Sequence, residues 1–377
     1  MLLKQAIKVV NDHGISMLSN PQSGIRFIAV SNKDTGPIDE ASDFSVTAFV
    51  DRKLSGKELK SQGMSSFQSS FKQVCGKTPG KRDIDVVETS GAMEPLGLNV
   101  SSAQRGKYGG QPPALNAQKR FESLRCGIGV TNPTNEYPNN LSVGTAGFYM
   151  TDDDDHLYLV SNNHVIGRSN AAAIGESVVQ PGTLDLTGLE LSMLPTMSDL
   201  VSELEIAEVA GVVQILFPNA SGTPNNTVDA AIAQLIDVGR GLNDIDRACF
   251  GGSIQGVRPY TVNASGALNQ SARVYKVGRT TGFTEGRVVG ITGVTNVGYA
   301  GGTARFVNQI LIESTIDNVG GFSDSGDSGS AILNDDHELV GLLFAGNGQH
   351  TMANPISNVI SQLKTASGIA SLTPVTA

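Results

Sequence analysis

From about Ser123 to Phe344 the chain repeats one pattern: a short β-prone run, then a joint of glycine, asparagine, aspartate or proline. The runs are Gly144–Met150, Leu157–Ser161, Ser177–Gln180, Val228–Leu235, Ala272–Val277, Gly286–Ile291, Asn308–Ile312, Ser330–Leu333 and Val340–Phe344. Strands at such spacing predict a sandwich or barrels. Helix-length apolar runs are scarce, tryptophan is absent and glycine numbers 44, which favours tight turns over a helical bundle. The 186–227 stretch is less regular, and Ser202–Leu216 reads as partly helical.

The flanks differ in texture. Residues 2–13 read as a helix, with Leu2, Leu3, Ile7 and Val10 on an amphipathic pattern. Gly24–Ser31, Phe44–Val50 and Ile84–Thr89 read as strands, and Leu59, Met64, Phe67 and Phe71 suggest a helix within Ser55–Val74. Residues 1–95 are therefore expected to form a small α/β N-terminal module. The stretch 96–122 is expected to be a linker or wrapping loop, because Gly97–Arg120 is polar and centred on Tyr108-Gly-Gly-Gln-Pro-Pro. Residues 123–377 hold the β-rich body. Ile356, Val359, Ile360 and Leu363 fall at helical spacing after Asn354-Pro355, predicting a C-terminal helix laid on that body.

Charge and cysteine content narrow the function. With 27 basic and 36 acidic side chains the chain carries −9, and no basic cluster interleaved with aromatics offsets this. Such a chain is repelled by a phosphate backbone, so nucleic acid is a poor partner. Asp152–Asp155 reads as a solvated hairpin tip rather than a calcium site. Cys75, Cys126 and Cys249 are too few and too scattered for a disulfide framework or a zinc site. Three reduced thiols, no continuous apolar leader at the N-terminus and no run of about 20 apolar residues together predict a cytoplasmic protein without a membrane segment. No metal or organic cofactor is expected.

The chemistry concentrates at Gly326-Asp327-Ser328-Gly329-Ser330. Acyl transfer from a serine needs its hydroxyl on a tight turn, with backbone N–H groups aimed at the developing oxyanion. The N–H groups of Gly326 and Ser328 are the expected donors, worth about 3–4 kcal/mol each in comparable sites. A serine also needs a base. Of five histidines, His164 ends the apolar run Tyr158-Leu-Val-Ser-Asn-Asn-His-Val-Ile166. His156 and His337 adjoin acidic, solvent-facing sequence, while His13 lies in the N-terminal helix and His350 in a turn. A third group must orient the imidazole. Asp229 is one acid within the small apolar run Asn226-Thr-Val-Asp-Ala-Ala-Ile-Ala233, where it needs a partner.

His164, Asp229 and Ser328 in that order, together with Val277-Gly-Arg-Thr-Thr-Gly-Phe-Thr-Glu-Gly-Arg-Val288, resemble the trypsin-like (chymotrypsin-fold) serine peptidases over roughly residues 123–365. The resemblance implies two six-stranded antiparallel barrels with the site in the cleft between them. His164 and Asp229 would come from the first and Ser328 from the second. It also implies a serine endopeptidase acting on protein or peptide substrates. Phe44–Val50 and Ile84–Thr89 look like the leader region of intracellular members of the plant narrow-leaf type and their bacterial relatives, which would suggest a homo-oligomer. By family spacing the primary pocket involves Phe322 and Ser323, with Gly346 on its wall. With no acid at its base, an apolar or small residue is expected there. Departures are Val165, where secreted animal enzymes have cysteine, and Phe344, where a serine often supports the aspartate. No processed N-terminus is evident to pair with Asp327. Rival readings are a catalytically silent binding module on the same fold and a gated or self-processing peptidase with 97–120 as cleavage site or lid.

Overall fold

The structure is a computed structural model. It describes residues 1–20, 24–33, 37–38, 44–81, 83–101, 118–121, 123–236, 253–262, 267–315 and 321–377. Cys249 and most of the 97–120 stretch lie outside them.

The chain opens with α1 (Leu3–Leu18), longer than the expected 2–13, because the apolar stripe continues through Met17 and Leu18. Strands β1 (Ile25–Asn32) and β2 (Phe44–Val50) follow. The single helix expected within Ser55–Val74 is two, α2 (Gly56–Ser61) and α3 (Phe67–Cys75). Gly63 turns the chain between them at φ +66°, and Ser66 caps the second. β3 (Ile84–Glu88), β4 (Glu94–Pro95) and β5 (Leu98–Ser101) complete this part.

The first barrel comprises β6 (Gly129–Val130), β7 (Asn140–Thr145), β8 (Phe148–Thr151), β9 (Leu157–Ser161), β10 (Ser177–Val179), β11 (Glu205–Val212) and β13 (Ala231–Leu235); β12 (Asn225–Asn226) leaves it to join the second. What reads as one strand over Gly144–Met150 is β7 and β8. The Ala146 N–H still donates to Ile128 O, while the Gly147 N–H donates to Val160 O, so the chain changes partners there. The ladder runs β8–β9–β13–β11–β10, and a bridge from Thr131 to Val179 returns it to β6 and β7. The short helix α4 (Asn163–Ile166) follows β9. Helices α5 (Gly188–Met193) and α6 (Met197–Leu204) precede β11. The partly helical stretch expected over Ser202–Leu216 is helical only in its first three residues. Only Leu204 and the residues before it are helical, and Glu205–Val212 is a strand that buries Ala207, Val209 and Gly211 in alternation.

In the second barrel β14 (Gly256–Val257) pairs with a strand edge. β15 (Arg273–Gly278), β16 (Gly282–Tyr299), β17 (Gly302–Ser314), β18 (Ala331–Leu333), β19 (Glu338–Gly346) and β20 (His350–Pro355) form a closed antiparallel ring, β15–β16–β17–β20–β19–β18 and back to β15. Closure pairs the strands where they overlap, but β16 runs on past Arg287, its last residue paired with β15, and leaves an edge there. The fold is thus mainly β, a double antiparallel barrel. The expected C-terminal helix is α7 (Ile356–Ser367), which buries Ile356, Val359 and Leu363 in the first barrel's core. β21 (Thr373–Pro374) then pairs with β8.

The N-terminal strands are built onto the second barrel. β1 pairs antiparallel with β16, β2 with β1, and β3 parallel with β2. α1 covers one face of this extension, sharing a core with Ile28, Val30 and Val46. No helix among the described residues is long and apolar enough to cross a membrane.

Candidate active site

Ser328 lies on the turn that leads into β18. Gly329 next to it has φ +96°, and a Cβ there would sit 2.2 Å from the Thr145 carbonyl oxygen, so only glycine fits. The turn is pinned to the first barrel: the Thr145 N–H donates to Ser328 O at 2.7 Å, and the Thr145 hydroxyl to Gly326 O at 2.8 Å. Asp327 is fully buried beneath it. Its carboxylate accepts from the Thr280 N–H at 2.8 Å, the Asp324 N–H at 3.0 Å and the Thr281 hydroxyl at 2.6 Å. The buried ammonium of Lys276 lies 3.3 Å away. Burial pushes the Lys276 ammonium below the usual lysine range, and Asp327 opposes that shift. An internal cation thus faces Asp327, the position for which the sequence offered no processed N-terminus.

His164 stands on α4, just past the end of β9, and Asp229 lies two residues before the start of β13. The imidazole Nδ1 is 2.6 Å from Asp229 Oδ2, and the His164 backbone N–H donates to Oδ1 at 3.2 Å. Both side chains are shielded, at 5% and 0% exposure. Asp229 is fixed through its backbone as well. Its carbonyl accepts from Asn162 at 2.6 Å, and its N–H donates to Asn354 Oδ1 at 3.0 Å. These side-chain bonds occupy the backbone just before β13, where the sequence suggested a strand from Val228. With phenylalanine at position 344, where a serine often supports the aspartate, the support comes from Tyr299, whose hydroxyl donates to Asp229 Oδ2 at 2.8 Å. Burial, with Asp229 adding to it, pushes the Tyr299 phenol well above its ordinary value, so it stays a donor.

The structure brings His164 and Asp229 into contact, but the Ser328 hydroxyl donates to Phe344 O at 3.1 Å and not to His164. His164 Nε2 instead accepts the Gly97 N–H at 3.1 Å. The Gly326 N–H donates to the carbonyl oxygen of Leu96, the residue before Gly97, and the Leu96 N–H donates to Phe344 O at 3.2 Å. Of the two N–H groups expected for an oxyanion, Gly326's therefore meets a carbonyl and Ser328's makes no such bond among the described residues. A cavity of about 340 Å³ opens beside His164, bordered by Gly97, Leu98, Arg168 and Tyr299.

Phe322, Ser323 and Gly346 do lie together. Phe322 shares an apolar cluster with Leu96, and a Cβ on Gly346 would sit 3.0 Å from Leu96 Cδ1 and 3.6 Å from Ser323 Oγ. Asp324 points elsewhere, as its carboxylate accepts from the Ser325 N–H and the residue is exposed. His350, expected in a turn, begins β20. It is buried between Thr89 and Glu313, with Nε2 2.8 Å from Glu313 Oε1. His156 sits beside Asp152 at the exposed β8–β9 hairpin.

Sequence reasoning missed Tyr299, Lys276 and Leu96, while Gly97 entered it only as the start of the 97–120 stretch read as a cleavage site or lid. Lys276 left a signal, a cation set between Tyr275 and Val277 in a strand whose other cation, Arg273, stands at its exposed start. Tyr299 left none, since its partner is distant in the chain.

The sequence matches no protein-family model. It also matches no curated protein. In structure the chain is similar to serine proteases of the trypsin-like fold. Protease A of Thermobifida fusca is 17% identical, with a TM-score of 0.41, covering 68% of this chain and 100% of that one. Nocardiopsis protease is 15% identical, with a TM-score of 0.40, covering 67% of this chain and 98% of that one. The chymotrypsin of Cellulomonas bogoriensis is 16% identical, with a TM-score of 0.36, covering 62% and 91%.

Proposed function

We propose that the protein is a serine endopeptidase in which Ser328 is the nucleophile, His164 the general base and Asp229 the group that orients the imidazole. One observation carries the reading. His164 turns Nδ1 to Asp229 and Nε2 to a peptide N–H, while the carbonyl oxygen of that same peptide bond rests on the Gly326 N–H. A peptide bond lies where its carbon could meet a serine and its nitrogen an acid.

In the proposed cycle, the Ser328 hydroxyl leaves Phe344 O and passes its proton to His164 Nε2 as Oγ bonds to the carbonyl carbon. The oxyanion is held at the Gly326 N–H and, as the carbon becomes tetrahedral, at that of Ser328. His164 then protonates the leaving amine, the C–N bond breaks, and water hydrolyses the acyl-enzyme by the same proton route. Asp229 keeps Nδ1–H as a donor and stabilises the imidazolium, with Tyr299 holding the carboxylate in place. The Lys276–Asp327 pair supports the turn that presents Gly326 and Ser328.

The test is labelling by a fluorophosphonate probe together with cleavage of casein. Both should occur in the wild-type chain and vanish in Ser328→Ala. Absence of labelling and of cleavage both in wild type and in Leu96→Glu, which frees the groove, would overturn the proposal.

A further inference from the structure

We propose that the Leu96–Gly97 bond is a substrate of the same molecule's active site, cut in cis; the inference rests on the serine-peptidase reading above and adds its first substrate and its side-chain preference. Met93 to Ser101 threads the groove between the barrels in extended form. On the N-terminal side, Glu94 and Pro95 pair antiparallel with Gly346 and Ala345 of β19. Met93 bridges to Val297, with the Gly298 N–H donating to Met93 O at 3.3 Å. On the C-terminal side, Leu98 to Ser101 pairs antiparallel with β7 of the other barrel. The bond between these two clamps is Leu96–Gly97, and every polar atom of that peptide unit meets the site: its oxygen the Gly326 N–H, its nitrogen His164 Nε2.

A strand that only filled the groove would need the edge pairings and nothing else. Two further features fit a bond presented for cleavage. Phe344 O accepts both the Leu96 N–H and the Ser328 hydroxyl, which puts the nucleophile beside the residue whose carbonyl it would attack. Gly97 also has no side chain where one could not stand, since a Cβ there would lie 2.7 Å from His164 Cδ2 and 3.0 Å from Nε2. The Leu96 side chain is 7% exposed and fills the space between Phe322 and Gly346, so the pocket's preference is a branched apolar residue. Hydrogen-bonded registry on both sides of a bond is how extended peptides are recognised, and a bond held in attack geometry reacts as an intramolecular one.

The step balances without any external oxidant or cofactor. Ser328 Oγ bonds to the Leu96 carbon, and its proton moves through His164 to the Gly97 nitrogen as the C–N bond breaks. Water then releases Leu96 as a carboxylate and restores the Ser328 hydroxyl.

The experiment is intact-mass measurement, under denaturing conditions, of the full wild-type chain and of Ser328→Ala, Leu96→Glu and Gly97→Val. Wild type should yield one fragment ending at Leu96 and one beginning at Gly97, with a rate unchanged over about 100-fold dilution, as a unimolecular step requires. Ser328→Ala should stay whole. Leu96→Glu and Gly97→Val should split at least about 100-fold more slowly, because one puts a charge in an apolar pocket and the other drives a side chain into the imidazole. The fluorophosphonate probe is applied to wild type and Leu96→Glu in parallel. A whole chain in which Ser328 labels in either protein overturns self-cleavage and leaves the peptidase reading standing; a whole chain with no labelling in either overturns both. Cutting at another bond, or at a rate that rises with concentration, also overturns the cis assignment.

Discussion

Tyr299 and His164 share one carboxylate oxygen: Asp229 Oδ2 accepts the phenol at 2.8 Å and lies 2.6 Å from imidazole Nδ1. The two rings stand edge to face with centroids 6.0 Å apart, and the aspartate is held from both sides. Removing the phenol leaves a buried charge with one partner fewer.

Tyr299→Phe is therefore expected to lower kcat by about 10-fold, the equivalent of one hydrogen bond to a charged group. KM for a peptide substrate should change little, because Tyr299 touches Asp229 and not the peptide unit. Steady-state kinetics on a chromogenic peptide anilide separate the two parameters.

The buried Lys276–Asp327 pair predicts a large stability effect. Lys276→Met leaves a carboxylate without its cation and should cost about 3–5 kcal/mol. Adding Asp327→Asn removes the stranded charge and should recover part of that loss. Urea unfolding of the three chains checks the order: wild type, double variant, single variant.

The same pair sets a pH dependence. Burial lowers the Lys276 value in the folded state, so between that value and the unfolded lysine value the unfolded chain binds more protons. Raising pH through this window stabilises the fold on this group's account, yet it removes the charge that faces Asp327. Activity should thus fall at alkaline pH, below the ordinary lysine range, with no matching loss in melting temperature. A profile of kcat/KM against pH beside a melting curve tests both halves.

Gly346 predicts specificity. A side chain there would enter the space taken by Leu96 Cδ1 and press on His350 O, 3.1 Å from its Cβ. Gly346→Val should reduce kcat/KM for a peptide with leucine before the cut by about 100-fold, while an alanine peptide loses far less. Competition between the two peptides, followed by mass spectrometry, gives the ratio directly.

Much of the candidate site was legible in the sequence because its demands are local. Ser328 needs flanking glycine, Asp229 sits in small apolar surroundings, and His164 ends an apolar run. Leu157–Ser161 and Phe44–Val50 were legible as whole strands for the same reason, each being a short β-prone run between turn residues. Other features depend on partners far along the chain. Nothing near Leu96 announces that β19 will pair with it, and the alternation over Glu205–Val212 was overridden by its helix-prone neighbours. Phe344 shows both sides. Its ring packs on Phe306 with centroids 4.8 Å apart, as an apolar side chain should, while its backbone oxygen serves Ser328 and Leu96, a role that side-chain identity does not encode.

The register of β1 against β16, with Phe27 opposite Thr295 and Ser31 opposite Gly290, has a consequence for a chain cut after Leu96. The severed piece would not drift away, because α1 and β1 to β3 hold it by a shared core and an edge ladder. Its fresh carboxyl end would remain tethered at the mouth of the catalytic groove and compete with every incoming peptide. Turnover of foreign substrates would then be governed by how readily Met93 leaves Val297 and Glu94 to Leu96 peel off β19, a brake that the fold carries within itself.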